Sequence, residues 1–378
     1  MPHREGNAKI ANATQLKDIT SVLVECANEE YGIDLSGKVS RVFGKFDSEI
    51  FGGSVKVRPA VQILEHAIER GELRRGQPVF EATSGNFGIA LGLLERVGVQ
   101  VVALVSRKLQ DGVLEELRKT GVKAVDLDVE ICPSPGWLGD VNALAAEAAA
   151  ANVRSRLAEL GFDTGPLDRL RQEVLGLLTR QDVINLAKLL AKAYGGFSPE
   201  QYDNEMNVRA HETVTGPEID QQLREQGESL KDFRVVCSFG TGGTSAGLSN
   251  YIEREYGTRG VHVAFPLAGQ DVAGIRTKPN ATGLRFYRPG DYAGEHELDF
   301  EAARKLLGFF VQRGYDIGES SALALYSTIQ LANSGAGDKF VVLIPDGFKK
   351  YGGALVLEPK KRAKSVSLSQ AKAGASRP

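Results

Sequence analysis

Cysteine is scarce: the 378 residues contain three, Cys26, Cys132 and Cys237, far apart and with no CxxC pair. That argues against a disulfide framework or a thiolate zinc site, and fits a reducing, cytoplasmic compartment. The five histidines (His3, His66, His211, His262, His296) show no HxxxH or HxH spacing, so no protein-bound metal is expected. No run of about 18 apolar residues occurs, which removes a transmembrane helix. The opening MPHREGNAKIANATQ lacks the apolar core of a signal peptide. An excess of one charge is missing too. Lys and Arg total 46 against 48 Asp and Glu, a formal charge of −2, so bulk charge predicts neither nucleic acid nor membrane as partner. What is present, 42% hydrophobic and 25% charged residues, is the balance of a soluble globular protein long enough for two domains. The last stretch, 359–378, is polar and basic and reads as a disordered tail.

From 59 to 128 helices and strands alternate. PAVQILEHAIERG carries Pro59 in a first turn, apolar Ile63, Leu64, Ala67 and Ile68 at helical spacing, and Gly71 as a stop. PVFEA, VQVVALV and VKAVDLD read as buried strands, with GIALGLLERVG and QDGVLEELRKTG as the helices between them. The rhythm resumes at 234 with strands RVVCSFG, GVHVAFPLA and KFVVLIPDG, again separated by helices. Short apolar strands alternating with helices predict parallel sheets covered on both faces, in two α/β halves with a site between them. Residues 137–197 break the rhythm. They are Ala- and Leu-rich and read as two or three helices joined at GFDTGP, an insertion that either covers the cleft, mediates self-association or decorates the surface.

Three glycine-rich stretches carry chemistry. Gly240, Thr241, Gly242, Gly243 and Thr244 lie between a strand and a helix. Backbone N–H groups at a helix start, glycines that allow close approach and threonine donors make an anion site, although a plain tight turn has the same composition. A dinucleotide fingerprint is excluded because Ser245 stands at the third glycine position. A nucleotide-triphosphate loop fails at its near miss, Gly32 to Lys38, because Val39 follows where a magnesium-binding hydroxyl is needed. EATSGNFGIALG, residues 81–92, places Thr83, Ser84, Gly85 and Asn86 at a strand–helix junction, either as a helix cap or as an anion pocket. GGSVKV places Lys56 where little other charge occurs before Arg58. A lysine in apolar surroundings has a lowered pKa and serves as a nucleophile or Schiff-base former. A phosphate loop with an activated lysine suggests pyridoxal phosphate.

GGSVKVRPA, EATSGNFGIALG, QYDN followed by HETVTGPEI, and GTGGTSAG occur in that order. Together they resemble the motifs of the cysteine synthase and cystathionine β-synthase family, the fold type II pyridoxal-phosphate enzymes, over roughly 40–350 with 137–197 unmatched. The resemblance implies a tryptophan synthase β-like fold of two three-layer α/β domains with a helical insertion. The expected division is a large cofactor-binding domain from 1–60 plus 201–358, a small mobile substrate domain at 61–136, and the insertion at 137–200. It implies that Lys56 carries the cofactor and moves the substrate proton. Asn86 would bind the cofactor's phenolic oxygen, Gly240 to Thr244 its phosphate, and Ser320 its pyridine nitrogen. A neutral hydroxyl at Ser320, unlike an aspartate, does not itself keep that nitrogen protonated. Thr83, Ser84 and Gln201, with Gly85 and Phe87 in the same loop, would bind the substrate carboxylate.

The implied reaction is β-replacement on an O-acetyl- or O-phospho-L-serine by a thiol or amine, in a cytoplasmic homodimer. A lyase releasing pyruvate and ammonia, or an inactive cofactor-binding regulatory subunit, are the alternatives. Several positions depart from the family pattern. Phe87 replaces a threonine, Val57 an aspartate and Ala322 a glycine, and a threonine-proline-leucine segment is missing near SGKVSRVFG. The stretch 274–288 holds Arg276, Lys278, Arg285 and Arg288, either as a solvated basic loop or as a site for an acidic leaving group or second substrate.

Overall fold

The structure is a computed structural model that describes residues 14–83, 85–93, 98–105, 111–127 and 141–349. Ser84, Cys132 and the expected tail at 359–378 lie outside the described residues. Two sheets organise the chain, and the smaller occupies its middle. In it β3 (Pro78–Ala82), β4 (Gln100–Val105) and β5 (Lys123–Asp126) run parallel, in that order.

Alternate residues of these strands point to opposite faces. Val79, Val101, Ala103 and Val105 face one core with α2 (Val57–Glu69), α3 (Asn86–Gly92) and α4 (Asp111–Lys119). Phe80, Ala82, Val102, Leu104 and Val125 face the other. That second face is covered by α5 (Ala143–Glu159), α6 (Gly165–Arg169), α7 (Arg171–Thr179) and α8 (Val183–Ala193), which contribute Val153, Leu157, Leu178, Leu186 and Leu190. The Ala- and Leu-rich segment is therefore the second helical layer of this sheet. Many of its apolar residues sit in that core, while Leu144 at the start of α5 is exposed. Ile68, expected on the buried stripe of α2, is exposed.

The larger sheet has six strands in the order β1-β2-β9-β6-β7-β8. They are β1 (Leu16–Asp18), β2 (Arg41–Phe46), β6 (Arg234–Ser238), β7 (Val261–Pro266), β8 (Gly294–Leu298) and β9 (Lys339–Ile344). All pair in parallel except β1, which is antiparallel to β2. Phe340, Val342 and Ile344 of β9 pack under α1 (Thr20–Tyr31), α13 (Phe300–Gln312) and α14 (Glu319–Asn333). Val341 and Leu343 pack under α10 (Gly216–Glu225) and α11 (Gly243–Tyr256). Burial on both faces explains the near-continuous apolar runs of the central strands.

Strand β2 also brings charge inside. Lys45 and Asp47 are fully buried, and Arg58 nearly so. Arg58 donates to both oxygens of Asp47 and to Glu218, and Lys45 donates to Glu218 at 2.6 Å. Thr14 closes the group, donating its hydroxyl to Asp47 at 2.8 Å and its N–H to Glu218 at 2.7 Å. Each buried charge is paired and hydrogen-bonded, as the cost of desolvation requires. The network holds the start of α2 against α10, and Lys56 is the residue just before α2.

Candidate active site

Strands β2, β9 and β6 are parallel, so their C-terminal ends share one edge, the usual place for a ligand in an open α/β sheet. A cleft of about 540 Å³, open mouth included, lies there. Lys56, Asn86, Gly240, Thr241, Gly242, Thr244 and Ser320 line it, together with Ser238, Gly274 and Asp346.

Lys56 is half-buried and held by the turn before it. Gly52 and Gly53 adopt φ of 98° and 69°, a region that suits glycine, and Val55 donates its N–H to Pro345 O at 2.7 Å. Burial, and then the charge of Arg276, push the Lys56 amine down to about 8, with Asp346 and Glu81 opposing. About one lysine in ten is then neutral at pH 7, against about one in three thousand at the ordinary value. A neutral amine is what carbonyl chemistry needs.

The glycine loop opens α11, a helix of 14 residues. Gly242 has φ 88°, and a Cβ on it would stand 2.8 Å from Phe286 O. A Cβ on Gly240 would stand 2.8 Å from Gly274 O, and one on Gly243 would collide with Asn207. Only glycine leaves this turn open, with its N–H groups at the positive end of the α11 dipole. Asn207 donates to Thr241 Oγ1 at 2.9 Å and to Gln201 O at 2.7 Å, which fixes the loop from behind. Thr244 Oγ1 lies 3.2 Å from Nε2 of His211, whose other nitrogen lies 3.0 Å from Thr215 Oγ1. His211 sits in a π turn over His211–Thr215, a feature frequent at functional sites. Burial pushes its imidazole down to about 3, so it stays neutral beside the loop.

Asn86 and Ser320 meet through a third residue. Asn86 Nδ2 donates to Asp346 Oδ2 at 2.7 Å, and Ser320 Oγ donates to Asp346 Oδ1 at 3.4 Å. The carbonyl of Ser320 accepts from Ser238 Oγ at 2.5 Å.

The residues expected to grip a carboxylate are not all gathered here. Thr83 is buried, and its Oγ1 accepts the N–H groups of Gly85 and Gly88, each at 3.1 Å, which ties the loop to the first turn of α3. Gly85 has φ 130° and ψ −74°, open to glycine alone. Phe87 is 2% exposed and packs in the core with Val57, Ile89 and Leu117, away from the cleft lining. Its bulk belongs to the core of the small sheet. Gln201 occupies a separate small pocket, where it donates to Glu81 Oε1 at 3.4 Å. The four cations of 274–288 divide. Lys278 pairs with Glu295 at 3.2 Å and Arg285 with Glu205 at 2.8 Å, both at the surface. Arg276 is 4% exposed, donates to the Tyr202 hydroxyl, and is near enough to bias Lys56.

Sequence reasoning missed Asp346, Asn207, His211 and Glu81. Burial pushes the Glu81 carboxyl up to about 8, against the N–H of Glu200. The available signal was position: Glu81 ends a strand, Asp346 follows one, and His211 lies inside a motif already quoted.

A lysine with a depressed pKa, an open glycine cradle at a helix start and donors at Asn86 and Ser320 fit pyridoxal phosphate. The model of the pyridoxal-phosphate dependent enzyme family matches residues 31–164 and 171–346. The chain belongs to that family. The match runs through most of 137–197, in keeping with that segment's place as a layer of the sheet. The chain is 25% identical over 324 residues to a cysteine synthase of Staphylococcus aureus, covering 82% of this chain and 87% of the relative. It is 27% identical over 320 residues to cysteine synthase B of Escherichia coli, covering 82% and 86%. Among solved structures, an O-ureido-L-serine synthase superimposes with a TM-score of 0.64 at 21% identity, covering 86% of this chain and 90% of that one. A hydrogen sulfide-producing enzyme gives 0.64 at 22%, covering 86% of each. These structures share the fold type II architecture. No helix among the described residues is long and apolar enough to cross a membrane, and no cluster of three metal-ligating side chains occurs among them.

Proposed function

We propose that this member of the family catalyses β-replacement on an O-activated L-serine, with a thiol or amine as nucleophile. The observation that carries the reading is the convergence of Lys56, Asn86, the 240–244 loop and Ser320 on one cleft. Pyridoxal phosphate, when bound, supplies the electron sink that makes the substrate's α-proton acidic and its β-substituent a leaving group. The chain's own residues do the rest. Lys56 holds the cofactor and, released, accepts the α-proton on Nζ, a role its lowered pKa suits. The 240–244 loop anchors the phosphate, and Asn86 and Ser320 orient the ring. Thr83, Ser84, Gly85 and Gln201 belong to the substrate side in this reading, with Thr83 setting the loop's shape.

Arg276 supports a preference for an anionic group on the serine oxygen or on the nucleophile, because it is a buried cation beside the cleft. The protein works as a homodimer in the cytoplasm in this reading, with a large unit at 1–60 plus 201–358, a mobile small unit at 61–136 and the helical insertion at 137–200 attached to the small unit.

The test supplies O-acetyl- and O-phospho-L-serine with sulfide, other thiols and amines, and identifies products by mass spectrometry. A new β-substituted amino acid with little pyruvate supports the proposal. Pyruvate released at a rate that no nucleophile diverts assigns a lyase, and no turnover of any ester assigns a regulatory subunit.

A further inference from the structure

Glu81 and Gln201 meet just outside the cleft. Glu81 stands near the end of β3, two residues before Thr83, and is 4% exposed, while Gln201 is 5% exposed. Both line the small pocket with Ser198, Tyr202 and Asp203, and neither lines the cleft that holds Lys56. Consecutive residues of the returning chain address the two carboxyl oxygens. The N–H of Glu200 reaches Oε2 at 3.3 Å, and Gln201 Nε2 reaches Oε1 at 3.4 Å. Glu200 has φ 54°, a left-handed conformation uncommon outside glycine, so the turn is held by its surroundings.

The backbone of Gln201 is fixed, because its carbonyl accepts Asn207 Nδ2 at 2.7 Å and Phe197 is bonded to Pro78 and Phe80 of β3. Its side chain is the part left to move, and the hold on it is loose. Charge-assisted bonds run to about 2.7–2.9 Å, so contacts of 3.3 and 3.4 Å suit an uncharged acid. Burial pushes the Glu81 carboxyl up to about 8 despite those two donors, and the charge of Glu200 adds to the rise. About nine in ten are then protonated at pH 7. The remaining charges are Lys188 of α8, which pairs with Glu200 at 2.6 Å and Asp203 at 3.5 Å, and Lys56 on the cleft side. Both cations oppose the rise without cancelling it. A substrate carboxylate needs the donor that Gln201 directs at Glu81. An uncharged Glu81 loses only a weak bond in that exchange. An ionised Glu81 competes for the donor on equal terms and repels a second carboxylate.

We propose that Glu81 is a positioning residue that parks the Gln201 amide outside the cleft and, in its protonated form, yields it to the substrate carboxylate. The inference rests on the reading in which Gln201 binds that carboxylate. Substrate binding and the Glu81 proton, taken from solvent, are then coupled: the grip is firm below about pH 8 and weakens above it.

The experiment loads the full-length protein with pyridoxal phosphate and measures binding of propionate, ¹³C-labelled at the carboxyl, by NMR line broadening. Propionate has no amine, so no substrate ammonium titrates and Lys56 is not displaced. Wild-type affinity is expected to fall by about tenfold between pH 7 and pH 9.5. Glu81→Gln, uncharged at every pH, is expected to bind within about threefold of the wild-type value at pH 7, with no fall. A wild-type affinity that ignores pH overturns the proposal, as does an equal fall in Glu81→Gln. If Glu81→Gln does not fold, proton uptake by the wild type decides. Propionate binding at pH 9 is expected to take up a substantial fraction of one proton, read with an indicator dye, and no uptake overturns the proposal. Gln201→Leu separates the two layers. Undiminished affinity in Gln201→Leu at pH 7, or no propionate binding by the wild type, refutes the placement of Gln201 at the carboxylate. A fall lost in Gln201→Leu but kept in Glu81→Gln refutes the role of Glu81 alone.

Discussion

Replacing Lys56 with methionine is expected to stabilise the cofactor-stripped protein while abolishing its chemistry. The lysine falls from its ordinary 10.5 to about 8 because burial and Arg276 disfavour its charge. That fall corresponds to about 3 kcal/mol of differential stability. Below pH 8 the amine is charged in both states, and the folded state bears the whole cost. Between about 8 and 10.5 the unfolded chain holds a proton that the folded chain lacks, so wild-type stability climbs with pH. Methionine fills similar space without a charge and escapes the cost at every pH. Urea unfolding at pH 7 should therefore find Lys56→Met more stable by up to about 3 kcal/mol, with the gap closing near pH 10.5. A variant no more stable than wild type at pH 7, or a gap that ignores pH, would refute the claim that the fold strains this residue.

Gly242→Ala must hold φ 88° and place a methyl 2.8 Å from Phe286 O, so fluorescence titration should show pyridoxal-phosphate affinity reduced by about tenfold or more. Phe87→Thr removes a buried ring from the small-sheet core, and thermal unfolding should register a loss of about 3 kcal/mol with little change in ester preference. Arg276→Gln should raise KM for O-phosphoserine more than for O-acetylserine, by about tenfold, and raise the Lys56 pKa seen in the pH profile of cofactor loading. Val153→Asp buries a charge in the layer between α5 and the small sheet, so limited proteolysis should open the region around 141–197 while the larger sheet stays protected.

The elements that rest on local chemistry were legible. PVFEA is β3 to the residue, and each central apolar run proved to be a strand, because burial on both faces writes itself into composition. Strand β2 was not read, since RVFGKF carries Gly44 and two cations. Its Lys45 donates to Glu218 and Thr14, both far away in sequence. Polar GEHEL became edge strand β8 for the same reason: its partner β7, not its own pattern, makes it a strand. The motif residues of the cleft were legible because glycine, lysine and serine meet backbone demands that short spacing reveals. The ring of Phe87 lies in the core although Asn86 lines the cleft, because a helix turns about 100° per residue. The cations of 274–288 look alike in sequence. Only Glu205 and Glu295, brought from elsewhere, separate the surface pairs from Arg276. Asp346 hid in a PDG turn signal.

The small sheet and both its helical layers come from one uninterrupted stretch, from Val57 to about Phe197, whose backbone bonds to β3. The chain enters this stretch directly after Lys56 and leaves it directly before Gln201. In engineering terms it is a cassette. Grafting 57–197 from a relative would exchange the loop carrying Thr83 to Asn86 while Lys56, the 240–244 loop, Ser320 and Asp346 stay on the host. Both sutures would fall beside the chemistry, so a chimaera reports on its own fit. A join misplaced by a residue shifts the register of Lys56 or Gln201, and cofactor loading detects it before any substrate is added.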